Sequence, residues 1–239
     1  MLFRSPVGWV LPAETGLLAG LKTGVHRFDP ADGSFADPIA IEPDAPDNRL
    51  NDATVGPDGT IWLGSMDDAE TDASGRFYRL DRRGVVDTGL PAAIVTNGPA
   101  ISPDGRTLYV TDTFAGLIRA VPVGDDGTLG QPRPFITIAK QDGHPDGPTV
   151  DAEGCLWTGL FGGWGVRRYA PDGTLIATVR FPVANVTKIA FGGPDLRIAY
   201  ATTARLGLDA GALPAQPLAG DLFVFDAGVA GLPAPCARL

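Results

Sequence analysis

The stretch "GPDGTIWLGS", residues 56–65, reads as the turn and second strand of a β-hairpin. Pro57 presets φ, the Asp58 side chain caps the turn backbone, and Gly59 takes positive φ without strain. Ile61, Trp62 and Leu63 then open a strand of β-branched and aromatic residues. The pattern returns as "SPDGRTLYVTD" from 102, "DAEGCLWTGL" from 151 and a looser "GGPDLRIAYATT" from 192, with an early relative, "PAETGLLAGL", from 12. The turn glycines Gly16, Gly59, Gly105 and Gly154 stand 43, 46 and 49 residues apart. A second hairpin follows each unit: "HRFDPADGSF", "YRLDRRGVV", "RAVPVGDDGTL", "RRYAPDGTL" and "FVFDAGVAGL". Four short strands every 40 to 50 residues are the signature of a β-propeller blade. The expected fold is therefore all-β, a propeller with about five four-stranded blades. No linker or low-complexity stretch interrupts the repeats, so residues 1–239 read as one domain.

Composition narrows the function. The chain has 19 basic and 28 acidic residues, a net charge of −9, which argues against nucleic acid or an anionic membrane as partner. No apolar run approaches the roughly 20 residues that span a bilayer. The first residues lack the uninterrupted apolar core of a secretion signal. Cys155 and Cys236 are only two and have no metal-ligand spacing, so they read as isolated thiols. The expected location is cytoplasmic.

One slot in the repeat carries chemistry. Val55, Ile101 and Val150 are the last apolar residues before three successive turns, and four residues before each stand Asn51, Asn97 and Asp146. The innermost strand of a blade lines the axial channel, so equivalent slots on neighbouring blades converge near the axis. Thr187 falls in the same slot of the looser repeat, and the slot in the first repeat falls near Pro6. "TNGP" and "HPDGP" are also ordinary turn sequences. Turn chemistry accepts many registers, however, whereas convergence needs one. Two amides and one carboxylate suit a hard or borderline divalent cation and leave positions for water and substrate. Arg49, two residues from Asn51, can hydrogen-bond a polyhydroxylated or anionic ligand, and spacing alone allows it equally to be a surface residue. Asp52 reads as a turn cap. His144 lies near Asp146, but with two histidines in the chain a His-based triad has little material. "FGGWGVRRY" runs into a strand and does not cradle phosphate.

The segments "NRLNDATVGPDGTIWLGSM", "TNGPAISPDGRTLYVTDT", "HPDGPTVDAEGCLWTGLFGGWGVRRYAPDG" and "VTKIAFGGPDLRIAYATT", in this order, resemble the family of senescence marker protein (regucalcin) and bacterial gluconolactonases. The resemblance implies a six-bladed propeller with one divalent metal at an end of its channel (calcium, manganese, magnesium, zinc or iron) and hydrolysis of sugar lactones. Asn97 and Asp146 match the family's metal ligands, and Asp146 also its general base. Arg49 and Asn51 match residues that hold substrate. A further carboxylate that touches substrate falls near Ala69, so Asp68 or Glu70 takes its place. The family's first blade, with a "GE-x-P-x-W" glutamate ligand, has no counterpart in these residues, and Glu14 lies in a turn out of register. A chain without that blade is expected to leave a wedge-shaped opening.

The resulting expectation is a metal-dependent sugar lactonase, with a small sugar lactone as its partner, acting as a monomer or weak dimer. A non-catalytic calcium- or partner-binding propeller, including an inactive shortened homologue, is the alternative. An esterase or phosphoesterase on the same scaffold is a third reading.

Overall fold

The computed structural model describes residues 6–239. Strands β1 (Val7–Pro12), β2 (Leu17–Leu21), β3 (Gly24–Asp29) and β4 (Ser34–Ile39) form the first blade. The second holds β5 (Asn48–Val55), β6 (Ile61–Asp67), β7 (Phe77–Asp81) and β8 (Gly84–Asp87). The third holds β9 (Thr96–Ile101), β10 (Thr107–Asp112), β11 (Leu117–Pro122) and β12 (Arg133–Thr137). The fourth holds β13 (His144–Val150), β14 (Leu156–Phe161), β15 (Gly165–Tyr169) and β16 (Leu175–Arg180). Three strands make the fifth: β17 (Val186–Gly192), β18 (Ile198–Thr203) and β19 (Leu222–Asp226). All pairings within these sheets are antiparallel. The five blades expected from the repeats are thus present, the last with three strands among the described residues.

The repeated turns form as their residues dictate. Asp58 Oδ1 accepts the Thr60 N–H at 3.0 Å, and Asp104 Oδ1 accepts the Arg106 N–H at 3.0 Å. Gly59 and Gly105 follow at φ 86° and 73°, a region that costs an L side chain roughly 1–2 kcal/mol.

Each boundary between consecutive blades is a buried apolar seam. Trp9, Leu18 and Val25 pack on Leu50, Ile61 and Leu63 between blades one and two. Trp62 and Phe77 meet Leu108, Val110 and Val121 in the next seam. Tyr109, Ile118 and Ile136 meet Leu156 and Leu160 in the third. Trp157, Val166 and Phe181 meet Val186, Ile189 and Ala201 in the fourth. Such side chains each contribute about 1.5–3 kcal/mol when fully buried, so the seams hold the arc together. Five blades have four seams among the described residues. No such seam joins blade five to blade one among the described residues, and a cavity of about 560 Å³ is lined by residues of all five blades, Gly8–Leu11 of the first and Thr187, Lys188, Ala190 and Thr202 of the fifth among them.

The C-terminal segment laces the turns beneath the blades. Ala152 N–H donates to Ala230 O, Ala237 N–H to Pro12 O and Arg238 N–H to Gly59 O, each at 2.9 Å. It thereby links blade four to blades one and two. Both cysteines are free, Cys155 buried and Cys236 exposed. No described helix is long and apolar enough to cross a membrane.

Candidate active site

Inner strands would point side chains alternately into the two faces of a blade; a local irregularity redirects them. Each inner strand carries one extra residue relative to its neighbour at the same level. Leu50 and Asp52 face Ser65 and Gly64, with Asn51 unpaired between them. Asn97 and Ala100 face Thr111 and Tyr109, and Asp146 and Thr149 face Gly159 and Trp157. Val186 and Lys188 face Thr203 and Thr202, leaving Thr187 in the bulge. Bulges of this kind re-aim a side chain and stop pairing locally. Asn51, Asn97, Asp146 and Thr187 all line the one cavity of about 560 Å³ described above.

In blade one the equivalent position is Gly8, not Pro6: Val7 and Trp9 face Leu21 and Gly20, and Gly8 is the unpaired residue. A Cβ there would lie 2.5 Å from Leu50 O and 2.9 Å from Asn51 O, so the first blade contributes backbone and no side chain. Counting back from the turn missed this because the first inner strand is spaced differently from its turn.

A chain of hydrogen bonds fixes the polar wall. Lys22 Nζ lies 2.9 Å from Asp68, whose other oxygen is 3.1 Å from Arg49 Nε. Arg49 Nη1 donates to Asn51 Oδ1 at 2.9 Å. Asn51 Nδ2 donates to Thr96 O at 2.7 Å and to Asn97 Oδ1 at 3.2 Å. Asn97 Nδ2 donates to Thr113 Oγ1 at 2.9 Å, and that hydroxyl donates to Pro145 O at 3.1 Å. Each amide therefore has one orientation, with its oxygen in a known direction. Lys22 and Arg49 hold the Asp68 carboxylate below the usual range.

The two carboxylates considered near Ala69 separate. Asp68 is spent on Arg49 and Lys22, while Glu70 lines the cavity. Asp67 builds the loop that carries both. Its Oδ2 accepts the N–H groups of Thr71 and Asp72 at 2.8 and 3.0 Å and the Thr71 hydroxyl at 2.9 Å. These donors, the Asp72 N–H foremost, hold its carboxyl down to about 2.

Asp146 is the cavity's most perturbed group. Enclosure by protein, then the nearby Asp52 carboxylate, push it up to about 8, against the pull of Lys188, the Gly147 N–H and Arg49. Asp52 is not a turn cap. It sits mid-strand, accepts the Gly98 N–H at 3.0 Å, and receives Lys188 Nζ on both oxygens at 2.8 and 2.7 Å. Lys188 was not among the residues singled out from the sequence. A signal existed: Asp52 and Lys188 each directly follow a slot residue, Asn51 and Thr187, with opposite charge. His144 lines the cavity, its Nδ1 3.1 Å from Thr113 O and its ring edge-on to Phe114. Glu14 lies elsewhere, paired with Arg82 and Arg238.

Among the described residues no cluster of three or more histidine, cysteine or acidic side chains surrounds a metal position. Asn97 and Asp146 nonetheless fit a hard cation. A half-buried carboxylate with no side-chain donor among the described residues, pushed up by desolvation and by a second carboxylate, is relieved by positive charge, and the Lys188 ammonium is committed to Asp52. Amide and carboxylate oxygens are also the donor type that calcium, magnesium and manganese take.

Comparisons with known proteins bear on the family and the fold. A family model described as the SMP-30/gluconolactonase/LRE-like region matches residues 1–205. The L-arabinolactonase of Azospirillum brasilense is 36% identical over 219 residues, covering 90% of this chain and 72% of that protein. The 6-deoxy-6-sulfogluconolactonase of Pseudomonas putida is 32% identical, with 94% and 78% covered. The crystal structure of a calcium-binding protein, regucalcin, from Agrobacterium tumefaciens superposes with a TM-score of 0.93 at 30% identity. That match covers 100% of this chain and 82% of the other.

Proposed function

The chain belongs to the SMP-30/gluconolactonase/LRE-like family, and from that premise we propose that it hydrolyses a sugar lactone to the aldonic acid with one divalent cation held by Asn97 and Asp146. The observation that carries the reading is one cavity in which Arg49, Asn51 and Glu70 line a polar wall and Asp146 lies in the same space. A sugar ring needs such a wall, because its hydroxyls must exchange water for fixed partners.

Water adds to the lactone carbonyl carbon, and the bond from that carbon to the ring oxygen then breaks. A divalent cation held by Asn97 and Asp146 would supply Lewis-acid polarisation of the carbonyl. Asp146 accepts the proton of the attacking water on its carboxylate and returns it to the departing ring oxygen. Arg49, pinned by Asp68, and Asn51, pinned by Thr96 O, orient the sugar hydroxyls, so substrate meets a prearranged site. The apolar lining from Trp9, Met66, Phe114 and Phe161 excludes bulk water around the ring.

The test is turnover of glucono-, arabino- and other aldonolactones by the purified chain, followed by proton release. Activity lost on chelation and restored by manganese or calcium is the expected result. Tight calcium binding without turnover of any aldonolactone would instead establish a calcium-binding protein on the same oxygen set, as the description of the Agrobacterium regucalcin has it.

A further inference from the structure

Lys188 is a cation already present at the foot of the cavity. Its ammonium is bidentate on Asp52, and its remaining neighbour is Pro148 O at 3.4 Å. Asp52 is fixed in turn by the N–H groups of Ala53 at 2.8 Å and Gly98 at 3.0 Å. Side chain or backbone from blades two, three, four and five therefore meets around one ammonium. With these acceptors taken up, Lys188 has little donor capacity left for a lactone, so its effect on the site is that of a fixed charge.

That charge is set against the divalent cation. Arg49 and Lys188 are the lining cations, and Asp52, Glu70 and Asp146 the lining carboxylates. The cavity carries one net negative charge with Lys188 present and two without it, when all three acids are ionised. We propose that Lys188 is a built-in competitor of the divalent cation: its ammonium neutralises Asp52 and thereby sets how tightly the pocket holds a metal. Asp52 and Lys188 lie 136 positions apart in sequence, and the pair joins two non-adjacent blades across the cavity. The same contact thus ties blade five to blade two and weakens metal binding. This rests on the cation reading of Asn97 and Asp146 given above, and its test does not depend on lactone turnover.

The test is calorimetric titration of the chelator-treated full chain with Mn²⁺, in the absence of lactone, for the native protein and for Lys188→Gln, Asp52→Asn and the double variant. Removing one like charge from the same partly enclosed cavity as the cation should tighten Mn²⁺ binding by about tenfold or more in Lys188→Gln. Asp52→Asn releases the ammonium towards Asp146 and should weaken Mn²⁺ by a similar factor. In that background, where the pair is already broken, adding Lys188→Gln should restore affinity, so the comparison holds even if Lys188→Gln alone does not fold. Mn²⁺ affinity that is unchanged or lower on removing Lys188 in both backgrounds, or no binding in any variant, overturns the proposal. Failure of the lactonase reading leaves these titrations interpretable, because they measure the metal alone.

Discussion

Asn51 Nδ2 donates to Asn97 Oδ1 at 3.2 Å across the seam between the second and third blades. The bond joins the same slot of two successive repeats, and it sets which edge of each amide faces the cavity. It also makes the orientation of Asn97 depend on Thr113, whose hydroxyl takes the other end of the amide.

Thr113→Val should therefore loosen Asn97 without emptying a core position. The isosteric change removes the acceptor for Asn97 Nδ2 and the donor to Pro145 O. Partners behind a ligand typically contribute roughly 10- to 100-fold in metal affinity, so Mn²⁺ binding should fall within that range. Thr113→Ser keeps the hydroxyl and should retain most of the affinity. Calorimetry on the three proteins checks both.

Asp68→Asn should act on substrate binding more than on stability. The Arg49–Asp68 pair is partly exposed, with side-chain exposures of 23% and 40%, and pairs of that kind contribute about 0–1 kcal/mol. Without the carboxylate, Arg49 loses its Nε partner and its fixed approach to Asn51. KM for the lactone should rise several-fold while the melting temperature changes little. Glu70→Gln lies in the cavity itself and should lower kcat/KM by more than Asp68→Asn does.

The blades were legible in the sequence because each rests on local chemistry: Asp58 and Gly59, or Asp104 and Gly105, specify a turn whatever surrounds them. Asn51, Asn97 and Asp146 were legible because they share a register with Val55, Ile101 and Val150. The first blade's slot was not, since the bulge at Gly8 is defined by pairing with β2 rather than by distance to the next turn. The Lys188–Asp52 contact was hidden for a related reason. It joins non-adjacent blades across the axis, and the register places each charge one residue after a slot without specifying that the two meet.

Asp146 gives a pH dependence of known sign in the cation-free protein. Its carboxyl lies at about 8 in the fold and near 3.9 when unfolded. Between those values the native state binds the extra proton, so stability is highest below about 4 and falls as pH rises through 8. Asp146→Asn removes this dependence and should be more stable than the native protein at pH 8 in chelator, by an amount on the order of a few kcal/mol. Saturating Mn²⁺ should reverse the order, because a cation stabilises the carboxylate and not the amide as strongly. Thermal melts at pH 5 and pH 8, with and without metal, on both proteins check the sign and the reversal. Equal melting of both proteins at both pH values would mean that Asp146 is not perturbed by its surroundings.

Gly147→Ala should disconnect metal binding from global folding. Gly147 has φ +45°, which an L side chain adopts only with strain. A Cβ there would strike Thr187 O and approach Lys188 Cα to 2.6 Å. Both are backbone atoms of β17, so no rotamer change relieves the contact. Either β13 or β17 must move, and each carries a cavity residue next to the collision, Asp146 in one and Lys188 in the other. The strain lies beside the cavity, and the apolar seam from Trp157 to Val186 and Ile189 remains. The variant should fold with a loss of about 1–3 kcal/mol, typical of a substitution at a special backbone position. Its Mn²⁺ affinity should fall by at least about tenfold, equivalent to 1.4 kcal/mol, since Asp146 is displaced from Asn97. Far-ultraviolet circular dichroism, a denaturant titration and Mn²⁺ calorimetry on one preparation separate the two effects. Native metal affinity in a folded Gly147→Ala protein would place the cation away from Asp146.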